Sequence, residues 1–229
     1  MFERPMHELI RELSGAIVLL ASQVRLNLLL ALEALKEMDS EKCRRVKNVD
    51  CQVDEAEVRL ESQCLSFLAL QQPVARDLRT IVAIMKINDD MARIGDLSVH
   101  IVERVADIDS YLHQQYDLDN VGAKVAEMLH CAIVAFSERD TAKASKVFDF
   151  EDDIDYIHRS IVRNVMAAMK VPSGDAEQLI AVLSVSRYLE RIADHATKIA
   201  REVIYLVTGQ TAPRQRESSY EKLFESMRN

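Results

Sequence analysis

The chain says the same thing twice. Val46–Asp54, reading VKNVDCQVD, recurs as Val147–Asp155, VFDFEDDID, at an offset of 101 residues. Met91–Asp96, MARIGD, recurs as Leu189–Asp194, LERIAD, at an offset of 98. The two offsets differ by three residues, so one connection in the first half is longer. A duplicated order of segments requires each half to reach the same local architecture. The 229 residues are long enough for two units of about 100 residues, each with its own core.

What that architecture is follows from periodicity. Leu9, Leu13, Ile17, Leu20, Val24 and Leu28 recur at helical spacing in a first helix ending near Met38. Asp39-Ser40 resets the chain as an N-cap, and a second helix runs through Val46, Val53, Leu60 and Phe67 to about Gln71. Pro73 interrupts it, and a third helix carries Ile81, Ile84, Met91, Ile94 and Ile101. Residues from about Asp107 to Asp119 are polar, show little periodicity and read as the connection between halves.

The plan then repeats. A helix spans about Val121 to Ser137, with Asp140 at the counterpart of Asp39, and the next carries Ile154, Ile157, Ile161 and Val165. Val171-Pro172-Ser173-Gly174-Asp175 is a turn ending in a cap, and the last helix runs from Leu179 to Val207 before Gly209. Only 5 glycines and 4 prolines agree with few, long elements. The expected fold is all-α, with two tandem pseudo-symmetric three-helix bundles over 1–110 and 117–209 and a polar tail over 210–229.

Composition excludes several functions. A net charge of −8 disfavours nucleic-acid binding, which needs a basic surface. Cys43, Cys51, Cys64 and Cys131 lack C-x-x-C spacing and read as reduced thiols. The N-terminus lacks a signal-peptide pattern, and greasy runs such as Leu28–Leu32 are too short to span a bilayer. There is no Gly-rich phosphate loop, nucleophile elbow or catalytic dyad, so the expectation is a protein that is not an enzyme.

The repeated segments are acidic. Positions i and i+4 lie about 40° apart on a helix. Asp50 and Asp54 therefore share a face that Glu57 and Glu61 extend, and Glu151 and Asp155 share one that His158 continues. On the last helix Glu190 and Asp194 share a face roughly opposite Ile192 and Ala196, pointing away from the core. With 37 acids, about six acid-x-x-x-acid pairs arise by chance, so one such motif is only a solvated face. Keeping like charges at this spacing in both copies, on two helices of each bundle, is how an oxygen-donor metal site is built. In the first half Ala92 replaces Glu190, with Asp96 retained and Asp90 as a substitute acid; Arg93 and Arg191 are candidate ion-pair partners instead. Glu127-x-x-His130 and Asp155-x-x-His158 suggest a second reading, a carboxylate-bridged di-iron protein with a centre involving His130 and His158.

Pro73-Val74-Ala75-Arg76-Asp77-Leu78-Arg79, the MARIGD and LERIADHA elements, and Val203-Ile204-Tyr205-Leu206-Val207-Thr208-Gly209 together resemble the PhoU family over residues 6–209. That resemblance implies a cytoplasmic adaptor recruited to the inner face of the membrane through partners. Its members hold down phosphate uptake and the phosphate-starvation response, between the ATPase subunit of a phosphate ABC transporter and a sensor histidine kinase. It also implies metal (iron, zinc, magnesium or calcium) on acid-x-x-x-acid motifs. By position the ligands are Asp50, Asp54, Asp90 and Asp96 in the first bundle, and Glu151, Asp155, Glu190 and Asp194 in the second. Exposed Leu and Met on a two-bundle protein favour a homodimer.

Overall fold

A computed structural model describes residues 4–170 and 175–210. They form α1 (Arg4–Glu37), α2 (Ser40–Gln71), α3 (Ala75–Val102), a 3-10 turn (Val105–Asp107), a short α4 (Ser110–Gln115), α5 (Leu118–Glu138), α6 (Thr141–Ala168) and α7 (Ala176–Thr208). No strand occurs among the described residues. The expected tail over 210–229 lies outside them, Gln210 apart.

The boundaries repeat along with the sequence. After α1 and after α5, a single left-handed residue, Met38 or Arg139 (φ 54° in both), turns the chain. The next amide then closes the helix end, Asp39 N onto Ala34 O and Asp140 N onto Ala135 O. The same aspartates cap the helices that follow. Asp39 accepts from the Glu41 and Lys42 amides, and Asp140 from those of Ala142 and Lys143. Even the ion pair across the corner is duplicated, Lys42 with Glu37 and Lys143 with Glu138. Asp175 caps α7 in the same manner, while 171–174 of the expected turn lie outside the described residues.

The connection between halves differs from the sequence expectation. It contains α4, and α5 begins at Leu118, so Asp119 is already helical. The polar composition hides four buried anchors, Ile108, His113, Tyr116 and Leu118, at 4%, 5%, 5% and 0% exposure. His113 Nε2 meets Asp119 Oδ1 at 3.1 Å, and Asp109 caps α4 through the Leu112 amide.

In each half three long helices pack together, α1 with α2 and α3, α5 with α6 and α7. The halves then meet through equivalent helices, α3 against α7 and α1 against α5. Both pairs are antiparallel: Lys86 meets Glu202, Asp90 meets His195 and His100 stacks near Tyr188. Likewise Lys36 pairs with Asp119, and Leu32 lies against Gly122, where a Cβ would come 2.5 Å from Leu32 Cδ2. Two of the sequence hallmarks also come together, since Arg79 of α3 packs on Gly209, whose φ of 73° ends α7. One core fills the whole, with Ile17, Val24, Ile84, Ile94, Leu129, Val185 and Ile199 fully inaccessible.

By length and composition α1 is apolar enough to cross a membrane, contrary to the expectation drawn from short greasy runs. Short runs mislead because apolar residues occupy both faces of this helix. Its inner face is spent on the bundle: Ile10, Leu13, Ile17, Leu20, Val24, Leu28 and Leu35 are buried.

Candidate functional site

In the first bundle α2 and α3 bring Asp50, Asp54 and Asp96 together, one donor atom from each within 4.8 Å of the others. Asp50 and Asp54 arrive from successive turns of α2 and Asp96 from the facing turn of α3. Room for Asp50 comes from Gly95, where a Cβ would stand 2.6 Å from Asp50 Oδ1. That oxygen is buried and accepts no hydrogen bond. Burial, followed by the charges of Asp54 and Asp96, pushes Asp50 up to about 6. Arg93 reaches Asp96 at 3.3 Å from the exposed side. The acidic face continues to Glu57, whose carboxylate and backbone oxygen both accept from Asn88. Burial with Glu61, Asp89 and Asp54 raises Glu57 as well.

Asp90 does not join this group. It is 7% exposed and faces the other half of the molecule, where its Oδ1 lies 2.8 Å from His195 Nδ1. Spacing along α3 made it a substitute ligand; the rotation of α3 turns it onto α7 instead. This cross-repeat pair was invisible in the sequence, because its members stand 105 residues apart.

The second bundle solves the same problem differently. Glu151 and Asp155 of α6 face Glu190 and Asp194 of α7 closely enough to act on one another electrostatically. Glu190 is not on an open surface, as its spacing suggested, but 8% exposed, because α7 is packed by α3, α5 and α6 together. One guanidinium nitrogen of Arg187 donates to both Glu190 oxygens, at 3.0 and 2.9 Å. Burial together with Asp194 still pushes Glu190 up to about 7, with Arg187 working against it. Burial likewise raises Asp194 and Glu151. Among the described residues these four do not close into a group as tight as that of Asp50, Asp54 and Asp96.

The repeat offsets make the divergence explicit. Asp89 stands where the second half has Arg187, and Ala92 where it has Glu190, so acid and counter-ion appear or vanish together. The pair Glu57–Asn88 corresponds to His158–Ser186, whose Nδ1 and Oγ lie 2.7 Å apart. The Lys47–Glu103 ion pair corresponds to Arg201 over the Phe148 ring at 5.9 Å. Polar contacts between neighbouring helices are thus kept in position while their chemistry changes.

His158 is 4% exposed, and burial beside Arg187 and Arg159 lowers it to about 4, so it is neutral at ordinary pH. Neither it nor His130 belongs to a group of three or more donors among the described residues, as a di-iron centre requires.

The first-bundle group suits a hard cation on three counts: all donors are carboxylate oxygens, one of them is a buried oxygen without a partner, and the glycine opposite leaves space. Zinc fits less well, since its protein sites are usually built on nitrogen or sulfur donors.

Two duplicated helical bundles meeting through equivalent helices, each with acids between two of its helices, define an all-helical tandem-repeat protein. The PhoU domain matches the chain twice, over residues 17–105 and 118–203. A Deinococcus radiodurans protein described as a phosphate-specific transport system accessory protein PhoU homolog is 32% identical over 86% of this chain and 93% of its own. A Clostridium acetobutylicum protein of the same description is 30% identical over 88% and 93%. The crystal structure of PhoU from Pseudomonas aeruginosa superposes with a TM-score of 0.82 at 27% identity, covering 89% of this chain and 99% of that one. The phosphate transport system regulatory protein PhoU from Streptococcus pneumoniae gives 0.84 at 26% identity, over 91% and 99%. The chain belongs to the PhoU family, and it is not an enzyme.

Proposed function

We propose that this protein restrains phosphate uptake and the phosphate-starvation response while phosphate is plentiful. In this reading it works in the cytoplasm, recruited to the inner face of the membrane as an adaptor between the ATPase subunit of a phosphate ABC transporter and a sensor histidine kinase. What supports the reading is coverage: relatives named as phosphate transport accessory proteins align along 86% and 88% of the chain.

Asp50, Asp54 and Asp96 are the residues that hold a cation, with magnesium, calcium or iron matching their oxygen donors. The cation supplies positive charge. Asp50 and its neighbours, which repel one another in the free protein, are then neutralised, and α2 is tied to α3. Glu190 already has Arg187 against it. Long, rigid helices offer surfaces for docking rather than an enclosed substrate cleft.

Removing the gene from the native host is expected to raise phosphate uptake in replete medium and to induce the starvation response, and the intact gene reverses both. Asp54→Asn/Asp96→Asn is expected to lose bound cation by elemental analysis. Unchanged uptake in the deletion strain contradicts the regulatory reading. Equal metal content in wild type and double variant removes the cation from it.

A further inference from the structure

The outer side of α1 carries an apolar face whose leucines at 19 and 26 none of the described residues covers. Leu19 and Leu26 are 63% and 61% exposed, one heptad apart. Gly15, exposed, and Leu30, half-buried against the core, lie on the same line, within about 40° of Leu19 on a regular helix. Between Glu12 and Glu33 the sequence holds one charged residue, Arg25, which sits to the side of that line.

Gly15 is the second observation. Glycine inside a helix costs stability relative to alanine and is normally kept for a close approach of some neighbour. Gly122 has such a neighbour in Leu32, and Gly95 in Asp50; a Cβ at Gly15 would meet nothing within 4 Å. The space it leaves opens outward, beside exposed leucines, where an approaching helix needs it. The equivalent face of α5 has lost this character, with Asn120, Lys124, Glu127 and Cys131 at the counterparts of Leu19, Gln23, Leu26 and Leu30. An uncovered apolar stripe of this kind marks an interaction surface.

Charge decides what covers it. The stripe ends in acids on both sides, Glu8 and Glu12 before it and Glu33 and Glu37 after it, with Lys42 shared between the last two. A second copy laid antiparallel so that Leu19 meets Leu26 sets Glu12 on Glu33 and Glu8 on Glu37. A parallel copy sets each acid on itself. Anionic lipid is repelled by the same ends. A helix with an apolar centre and basic ends satisfies both parts of the stripe. We propose that the outer face of α1, from Gly15 to Leu30, docks an amphipathic helix of a partner protein that carries basic residues at both its ends. The assignment is independent of any cation at Asp50, Asp54 and Asp96.

The test uses the full chain and two synthetic helical peptides of about 20 residues, sharing one leucine stripe and ending in either lysines or glutamates. Fluorescence anisotropy is expected to show the lysine-ended peptide binding at least about tenfold tighter, with the difference shrinking in high salt. Leu19→Gln/Leu26→Gln is expected to weaken it at least about tenfold with helicity and melting temperature retained. Gly15→Leu is expected to weaken binding while raising the melting temperature, a pairing of signs that general destabilisation does not produce. Equal binding of both peptides, or equal binding by wild type and variants, overturns the proposal. So does a concentration-dependent dimer that the leucine variant dissolves, which assigns the face to a second copy. Co-sedimentation with phosphatidylcholine–phosphatidylglycerol vesicles that the leucine variant abolishes assigns it to a bilayer and also overturns it.

Discussion

Replacing Glu190 by glutamine isolates the cost of ionising one buried carboxylate. Glu190 is 8% exposed, and burial together with Asp194 raises it from an ordinary 4.5 to about 7. A shift of that size corresponds to about 3 kcal/mol between the two protonation states. The folded protein holds this proton more tightly than the unfolded chain does. The contribution of Glu190 is therefore most favourable below about pH 4.5, falls as pH rises towards 7, and is flat above that. Glutamine cannot ionise, so the stability of Glu190→Gln relative to wild type should grow by about 3 kcal/mol between pH 4.5 and about pH 8. Losing the charged hydrogen bonds from Arg187 shifts the whole comparison by an offset and leaves its slope with pH. Urea denaturation followed by far-UV circular dichroism, at several pH values and with a chelator present, measures it directly. A relative stability that stays flat, or shrinks as pH rises, would refute the reasoning. Arg187 would then be holding Glu190 ionised in the folded state.

Three further perturbations test the packing. Asp39→Ala and Asp140→Ala each remove an N-cap at equivalent corners and should each cost about 1 kcal/mol in chemical denaturation; unequal losses would mean that the corners are not energetically equivalent. Gly15→Ala should stabilise by about 1 kcal/mol because its Cβ meets open space, whereas Gly122→Ala should gain nothing, its Cβ falling 2.5 Å from Leu32 Cδ2. Calorimetric melting temperatures separate the two. His195→Leu leaves Asp90 buried without its partner and should cost about 3 kcal/mol, while Asp90→Leu/His195→Leu should cost less than the single change; a double variant at least as damaged contradicts that account.

Much of this molecule is legible in the sequence because its information is local. Helical spacing, Asp39 and Asp140 as caps, and Gly209 as a stop each act within a turn or two, and the structure places them as read. The failures have a common cause. The 107–119 connection reads as a linker because polar residues outnumber apolar ones there, yet four buried anchors, Ile108 among them, hold it to the core. Glu190 looked exposed because its own helix has an apolar face elsewhere, but α7 is covered from three directions. Arg187 rather than Arg191 pairs with Glu190, and its i, i+3 spacing is a signal that the sequence itself carries.

The sequence by itself determined that the chain is all-helical, that it is two copies of one plan, and which acids stand one turn apart. These follow from periodicity and from repetition, which need no knowledge of distant contacts. Only the tertiary structure decided that Asp50 and Asp54 meet Asp96 across a space opened by Gly95, that Asp90 turns to His195 instead, and that Leu19 and Leu26 of α1 are left exposed among the described residues. Each depends on the rotation of a helix about its axis and on which neighbour packs against it. That rotation is fixed by the packing of many side chains at once, and residues more than 100 positions apart become partners through it.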